Sequence, residues 1–274
     1  AVRGRVRGAG RHRGAAVRVS AADRWREELA AWAIPPEILA AAPESPYGFP
    51  AGMFGAPPEP TDTPSHRRAR EAMPVGGTVL DVGCGGGAGA FGVVPPAAVA
   101  VGVDSAAHML LAFAAAAGAR GVEHRELLGE WPAIAAEAGT ADVVVAHHVT
   151  YNVPELVPFA AALHAAARAR VVIEMTDVHP WVPTNDLWLR FHDLPRPHGP
   201  TAALCAEVLR EAGYDVRAET WQRPSRRTDR AATVAFIRRR LCVPAERDPE
   251  VDAALPPDYE FTPRTVVTLT WDPV

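Results

Sequence analysis

The chain has 274 residues with 28 basic, 32 acidic and 10 histidine side chains, which gives a formal net charge of −4. It is 48% hydrophobic and 22% charged, which is typical of a soluble globular protein. Three scattered cysteines argue against a disulfide scaffold, suit a reducing cytoplasm and offer no zinc-ligand spacing.

The first twenty residues differ in charge from the rest of the chain. Residues 1–20 contain six arginines and no acidic residue, so the remainder is acidic. We expect this basic tail to be disordered. A basic tail can contact nucleic acid, but an acidic body is a poor electrostatic host for a polyanion. The charge pattern therefore argues against a nucleic-acid partner and leaves RNA binding through the tail as an alternative.

The next segment predicts a helix, a short helix and a loop. Residues 21–33 place Trp25, Leu29 and Trp32 on one side of an amphipathic helix that ends at a Pro-Pro pair. Residues 43–60 are rich in proline and glycine, which predicts a loop, yet they carry Phe49 and other aromatic residues. This loop either folds over a pocket or packs on the body of the protein.

From residue 66 onward, helices and strands alternate. Strands are predicted at 78–82, 98–103, 121–127, 141–148 and 170–175, with two late strands at 214–223 and 264–272. Helices are predicted between them, including one over 105–118 with Ser105 as its N-cap and Gly118 as its stop, and one over 229–243. The uncharged run 82–103 is long enough for a membrane span, but its glycines and its Pro95-Pro96 pair argue against one.

Alternating strands and helices predict an α/β fold with a mostly parallel sheet covered on both faces. In such sheets ligands bind beyond the C-terminal ends of the strands. The segments to consider for a site are therefore 83–89, 104–105, 128–131, 146–152 and 176–181.

One stretch at that edge is unusually rich in glycine. In "GTVLDVGCGGGAGAFG", residues 77–92, Gly83, Gly85 and Gly87 allow unusual backbone angles and close approach by a ligand. Such a turn binds either the pyrophosphate of a dinucleotide or a phosphate-free adenosyl cofactor. Asp104 ends the next strand, where a carboxylate can accept hydrogen bonds from ribose hydroxyls. No basic residue follows the glycines, which favours the phosphate-free ligand.

Three stretches occur in order that resemble motifs of the class I S-adenosylmethionine-dependent methyltransferases. They are "LDVGCGGG", "GVDSAAHML" and "ADVVVAHHVTYNV", and the resemblance spans roughly residues 75–215. It implies a Rossmann-like, doubly wound, seven-stranded sheet with helices on both faces, and S-adenosyl-L-methionine as the cofactor. The third-strand stretch "GEW" departs from the commoner version, which contains aspartate. The cofactor residues that the resemblance implies are Asp81, Gly83, Cys84, Gly85, Gly87, Asp104, Ser105, Gly129, Glu130, Trp131 and His147.

The acceptor side is predicted from histidines and aromatic residues near the strand ends. A histidine near neutral pH can remove the proton of an oxygen acceptor, and the candidates are His148, His147 and His179. His192 and His198 are expected to be structural or solvent-facing. Tyr151, Phe49 and Trp181 are candidate substrate contacts, in a pocket suited to a small organic acceptor. No metal site is expected, because the histidines lack ligand spacing.

These observations predict a cytoplasmic methyltransferase that acts on a small molecule, with O-methylation slightly favoured and neither nucleic acid nor membrane as partner. The alternatives are an RNA methyltransferase, a non-catalytic S-adenosylmethionine-binding protein and a nicotinamide-dependent oxidoreductase. The expected organisation is a tail at 1–20, an N-terminal helical and loop cap at 21–75, and a methyltransferase domain at 76–274 with insertions at 176–200 and 224–262. The acceptor pocket is expected in the segments outside the common core.

Overall fold

A computed structural model describes residues 19–47, 62–224, 229–259 and 262–273. The basic tail up to residue 18 and the predicted substrate contact Phe49 lie outside the described residues. The described strands are β1 (Thr78–Val82), β2 (Val99–Asp104), β3 (Glu123–Leu128), β4 (Ala141–His147), β5 (Ala167–Thr176), β6 (Arg217–Arg223) and β7 (Arg264–Trp271). The described helices are α1 (Ala21–Ala30), α2 (Pro36–Ala41), α3 (Pro64–Ala72), α4 (Ala88–Phe91), α5 (Ala107–Arg120), α6 (Ala135–Ala138), α7 (Leu156–Ala166), α8 (Asn185–His192), α9 (Ala202–Glu211), α10 (Arg230–Arg240) and α11 (Asp248–Ala254).

The seven strands form one sheet in the order β3-β2-β1-β4-β5-β7-β6. The first five are parallel, and β7 runs antiparallel between β5 and β6. The predicted Rossmann-like, mostly parallel seven-stranded sheet is confirmed. Because β2 and β4 flank β1 on opposite sides, the strand order reverses at β1, and sheets of this kind bind their ligands outside the carboxyl ends of the strands at that point.

Helices cover both faces of the sheet, because the central strands carry apolar side chains on both sides. One face packs against α7 and α9 through side chains such as Phe159, Leu163 and Leu209. The other face packs against α5 through Phe113 and against Ala69 of α3. The central part of the sheet is thereby sealed from water, and the strand ends are left to build the site.

The N-terminal helices are part of this packing. Trp25 of α1 is fully buried, and its indole Nε1 donates to the carbonyl of Val153 at 2.8 Å. Ser20 caps α1 by accepting from the amide of Asp23. Helix α3 lies against β5 and begins with a capping box that joins Thr63 to His66. The segment expected to be a cap therefore also supplies side chains to the main core.

The two predicted insertions come together in a second, smaller core. Helices α8, α10 and α11 pack with α2 through buried residues that include Leu187, Trp188, Ile237 and Val251. The predicted helix over 229–243 is confirmed as α10. This smaller core lies on the β5 side of the molecule, where Trp32 stacks on His179 just beyond the end of that strand.

One predicted helix cap is wrong. Helix α5 begins at Ala107 with Ala106 as N-cap, and Ser105 is exposed and makes no cap hydrogen bond. The carboxylate of Asp104 accepts from the amide of Ala106 instead, because an aspartate can bond the backbone two residues onward. The helix also runs past Gly118 to Arg120, and Gly121 takes the left-handed conformation that ends it.

Candidate functional site

The glycine-rich turn between β1 and α4 is held against β2. Gly83, Gly85 and Gly87 all have positive φ, at 68°, 52° and 86°. The amides of Gly83 and Cys84 both donate to the carbonyl of Val103, at 2.8 and 3.0 Å. The turn therefore has one defined backbone path, which only glycine follows without strain at these positions.

Protein side chains occupy the space that two of these glycines leave. A Cβ atom on Gly83 would lie 2.5 Å from the side chain of Val149, and one on Gly87 would overlap Phe91. The sequence alone suggested that a ligand makes these close approaches. In the structure, the missing Cβ atoms let the segment after β4 and the α4 helix pack against the turn.

Asp104 joins the turn to the end of β2. Its Oδ2 accepts from the amide of Gly85 and its Oδ1 from that of Ala106, both at 2.9 Å. The carboxylate is half-buried, so each oxygen keeps a lone pair for a further donor. This position at a strand tip suits the ribose contact that the sequence predicts. Ser105 beside it is exposed.

Asp81 has a different environment from Asp104. It is only 1% exposed, and its Oδ2 accepts from the amide of Ala90 at 2.9 Å, which fixes the start of α4. Burial raises the pKa of Asp81 to about 8. Burial likewise raises the pKa of the Cys84 thiol, which is inert in this state. Asp81 therefore positions the turn and is mainly uncharged at neutral pH, and its contact with the cofactor stays a prediction.

The end of β3 lies next to Asp104. The amide of Gly129 donates to the Asp104 carbonyl at 3.0 Å, and a Cβ on Gly129 would meet Ile134. Glu130 is exposed. Trp131 is half-buried against the main core, and its Nε1 donates to the carbonyl of Phe159 at 3.2 Å. The three residues are thus near the predicted nucleoside position, and their contacts to adenine stay a prediction.

His148 follows β4 and is paired with a buried glutamate. Its φ of +59° turns the chain, and its amide donates to the carbonyl of Glu174 at 2.7 Å. The ring Nε2 lies 3.0 Å from Glu174 Oε1. Glu174 belongs to β5, its side chain is 1% exposed, and the same Oε1 accepts from Arg223 of β6 at 3.1 Å. Strands β4, β5 and β6 thus combine to hold one imidazole.

Sequence reasoning missed Glu174 and Arg223. The available signal was a lone charged residue inside the apolar strand "RVVIEM", since an unpaired carboxylate is rarely buried. Its partners are far away in the chain, and the sequence does not indicate which cation would meet it.

The electrostatics of this cluster define the proton positions. Although burial alone disfavours its charge, His147, the hydrogen bond from His148 and the Arg223 guanidinium together hold the pKa of Glu174 well below its usual value. An ionised carboxylate only accepts, so His148 Nε2 carries the hydrogen that joins them. Burial lowers the pKa of His148 despite the nearby carboxylate, so the ring is neutral at pH 7. Its Nδ1 is then unprotonated, and no described residue donates to it.

His147 is less suited to proton transfer. Its Nε2 is buried and has no hydrogen-bond partner among the described residues. Its ring lies 5.5 Å from that of His66, and burial lowers its pKa to about 3. The two histidines differ because the chain turns at His148, which directs the two rings into different surroundings.

A row of rings leads away from His148. The ring centroids of His148 and Tyr151 are 6.4 Å apart, and those of Tyr151 and His179 are 5.7 Å apart. The Tyr151 hydroxyl bonds Thr176 Oγ1 at 2.7 Å, so the phenol is fixed in place. His179 stacks on Trp32 at 3.9 Å, and burial lowers its pKa to about 3.

The remaining predicted residues lie next to this row, in the structural core or at the surface. Trp181, two residues after His179, is half-buried under Arg240. His192 bonds the carbonyl of Leu241 at 2.6 Å, and His198 is exposed.

In the described part of the chain, no group of three or more His, Cys, Asp or Glu residues is arranged to hold a metal ion. Across the same residues, no helix combines the length and apolar character needed to cross a bilayer.

Comparisons with known proteins agree with this geometry. Residues 80–172 match the family model described as "Methyltransferase domain". The YcgJ protein from Bacillus subtilis is 15% identical, with a TM-score of 0.52 over 76% of this chain and 97% of its own. A structure reported for the conversion of a disulfide bond into a thioacetal group during echinomycin biosynthesis is 17% identical, with a TM-score of 0.51 over 84% and 88% of the two chains.

A putative methyltransferase from Bacillus halodurans C-125 is also similar, with 15% identity and a TM-score of 0.50 over 76% of this chain and 96% of its own. At these identities the solved structures establish the fold alone. No curated protein sequence matches the chain.

The sheet order and the glycine turn after β1 are those of the class I methyltransferase fold. With the family match over residues 80–172, the chain carries a methyltransferase domain, whose cofactor is S-adenosyl-L-methionine. The residues present fit that group. A half-exposed carboxylate stands at the β2 tip, and residues 82–103 contain no basic side chain that would anchor a phosphate.

Proposed function

We propose that this methyltransferase O-methylates a small organic acceptor, with His148 as the general base. The observation that carries the proposal is the neutral imidazole at the end of β4, 3.0 Å from a buried and ionised Glu174. Bound S-adenosyl-L-methionine supplies the methyl group. The chain supplies the crevice for the cofactor and a group that takes the acceptor's proton.

The proton path follows from the hydrogen bonds. Glu174 holds Nε2–H, so Nδ1 is the basic atom, and it accepts the proton of an acceptor hydroxyl. The imidazolium that forms is stabilised by the carboxylate beside it. Arg223 keeps that carboxylate ionised when His148 is neutral. Tyr151 and His179 extend from the base along one wall, where they are suited to contact the acceptor.

The proposal also includes the finer assignments of the cofactor residues. Asp104 binds the ribose, and the amides near Gly85 and the half-buried face of Trp131 border the nucleoside. The location of Asp104 at the β2 tip supports this arrangement. A cytoplasmic location is supported by three cysteines that are all free and buried.

The test compares His148→Ala with His147→Asn in methyl-transfer assays on paired hydroxyl and amine acceptors. We expect His148→Ala to lower kcat by about 100-fold or more for a hydroxyl acceptor, the usual contribution of a general base. Cofactor affinity, measured by calorimetry, is expected to change less than threefold. Equal losses in turnover and cofactor affinity would contradict the role, as would full activity of the variant.

The pH profile gives a second readout. Because burial lowers the pKa of His148, the neutral ring persists below pH 6.5, and kcat is expected to fall only at more acidic pH. Efficient transfer to amines with no transfer to hydroxyls would instead establish an N-methyltransferase. Salt-sensitive transfer to RNA that needs residues 1–20 would establish the RNA alternative.

A further inference from the structure

Two arginines beside His179 have no acidic partner among the described residues. Several other partly buried arginines in the described structure are paired with a carboxylate, as in Arg170 with Asp272 at 2.7 Å and Arg238 with Asp248 at 3.1 Å. Arg196 and Arg240 form no ion pair with any described residue. A cation removed from water without a counter-charge is costly, so its persistence requires an explanation.

Arg240 is the last residue of α10 and lies between two aromatic rings. Its guanidinium carbon is 4.6 Å from the ring centroid of Trp181 and 5.3 Å from that of Tyr47. Its polar contact in the described structure is a long bond from Nη1 to the Pro46 carbonyl at 3.4 Å. Burial lowers its pKa. Most of the donors on this guanidinium are therefore left for a ligand.

Arg196 adds a second positive charge close to Arg240 and His179. It is only 9% exposed and lies over the rings of Trp32 at 5.3 Å and Trp188 at 4.9 Å. Its Nη atoms donate to the carbonyls of Trp32 and Ala33, and its Nε is buried without a described partner. Carbonyl dipoles satisfy part of its hydrogen bonding but leave its full charge uncompensated.

His179 connects the two arginines to the proposed acceptor site. Burial, then the charges of Arg240 and Arg196, lower its pKa, so it remains neutral and adds no counter-charge. The row from His148 through Tyr151 to His179 has ring spacings of 6.4 and 5.7 Å. Arg240 therefore stands at the far end of the wall that begins at the proposed base.

We propose that Arg240, flanked by Trp181 and Tyr47, binds an anionic group on the acceptor, so that the substrate is a small organic acid with a planar apolar body. A guanidinium offers parallel donors that match a carboxylate or a phosphate. The aromatic rings along the wall pack on the body of the acceptor. This assignment rests on the proposed function and names the substrate class of that same site.

The test is calorimetric binding of three probes to the full chain saturated with S-adenosylhomocysteine. Benzoate and phenyl phosphate carry the two anionic groups on one ring, and benzamide is their neutral counterpart. We expect at least one anion to bind, with benzamide at least tenfold weaker. The tighter of the two anions identifies the group as carboxylate or phosphate.

Arg240→Gln is expected to weaken the bound anion at least tenfold and to leave S-adenosylhomocysteine affinity unchanged. Arg239→Gln is the matched control, because it removes one positive charge from the same turn of α10, where Arg239 lies over Phe236. Arg240→Lys, which keeps the charge but loses the paired donors, is expected to bind with intermediate affinity. Thermal unfolding identifies any variant that fails to fold. If Arg240→Gln does not fold, Arg240→Lys is compared with the wild type instead.

The proposal is overturned if benzamide binds as tightly as the anions, if neither anion binds, or if both glutamine variants lose affinity equally. These titrations require no methyl transfer. A protein that binds an anion through Arg240 but methylates no hydroxyl acceptor would therefore refute the proposed function and leave this inference standing.

Discussion

Replacing Glu174 with glutamine changes one charge and almost no volume. In the native protein, Oε1 accepts from both His148 and Arg223, and Oε2 lies 3.4 Å from Thr63 Oγ1. A glutamine carbonyl still accepts one of these bonds. Its amide group can also turn toward His148 and donate to Nε2. The imidazole would then carry its hydrogen on Nδ1, facing the acceptor, and could no longer take a proton.

The expected magnitudes differ for folding and for catalysis. Removing one member of a fully buried ion pair costs about 3–5 kcal/mol. Arg223 is 33% exposed, so water recovers part of its solvation, and we expect a loss of about 2 kcal/mol in unfolding free energy. For catalysis, losing the correct tautomer removes most of the contribution of a general base, so kcat is expected to fall by about 100-fold.

The assay measures kcat and cofactor affinity for Glu174→Gln, His148→Ala and the double variant on one hydroxyl acceptor. If Glu174 acts through His148, the double variant is no slower than His148→Ala alone. Urea denaturation supplies the change in stability separately. Additive losses in kcat, or a Glu174→Gln enzyme that turns over normally, would refute the reasoning and reduce the pair to a structural contact.

The remaining predictions concern the two aspartates of the cofactor crevice. Asp104→Asn keeps an acceptor for one of its two backbone amides but loses the charge. We therefore expect the variant to bind S-adenosylhomocysteine at least tenfold more weakly in calorimetry. Unchanged affinity would remove Asp104 as a ribose ligand. Asp81 has a folded pKa of about 8, above its ordinary 3.8, so the wild type loses stability as pH rises from 4 to 8. Asp81→Asn does not titrate, and its stability relative to wild type is expected to rise by about 1.4 kcal/mol per pH unit over that range in urea denaturation. Parallel stability curves for the two proteins would show that Asp81 is ionised when folded.

Local patterns predicted the strands and the turn well, for a simple reason. Each strand is a short apolar run bounded by turn residues, and the glycines after β1 have a backbone requirement that few other residues meet. Both signals depend on residues adjacent in the chain. The predicted cap at Ser105 failed because Asp104 bonds the amide of Ala106 and the helix begins only at Ala107, and a sequence shows the candidate capping residues but not where the helix starts.

The acceptor side was predicted only in outline. His148, Tyr151 and His179 could be identified because they follow strands, but their arrangement in one row, with Trp32 of the segment after α1 stacked on His179, comes from tertiary packing. The charge state of His148 depends on Glu174 and Arg223, which are 26 and 75 positions away along the chain and meet it only through the pairing of β4, β5, β7 and β6.

The sequence by itself determined the strand-and-helix order, the glycine turn and the carboxylate at the tip of β2, since each of these features depends on residues adjacent in the chain. Only the tertiary structure decided which groups are charged. Burial and long-range pairing neutralise Asp81 and His179, ionise Glu174, and leave Arg240 without an acidic partner among the described residues. Desolvation depends on what packs around a group in three dimensions, and that information is not local in the chain.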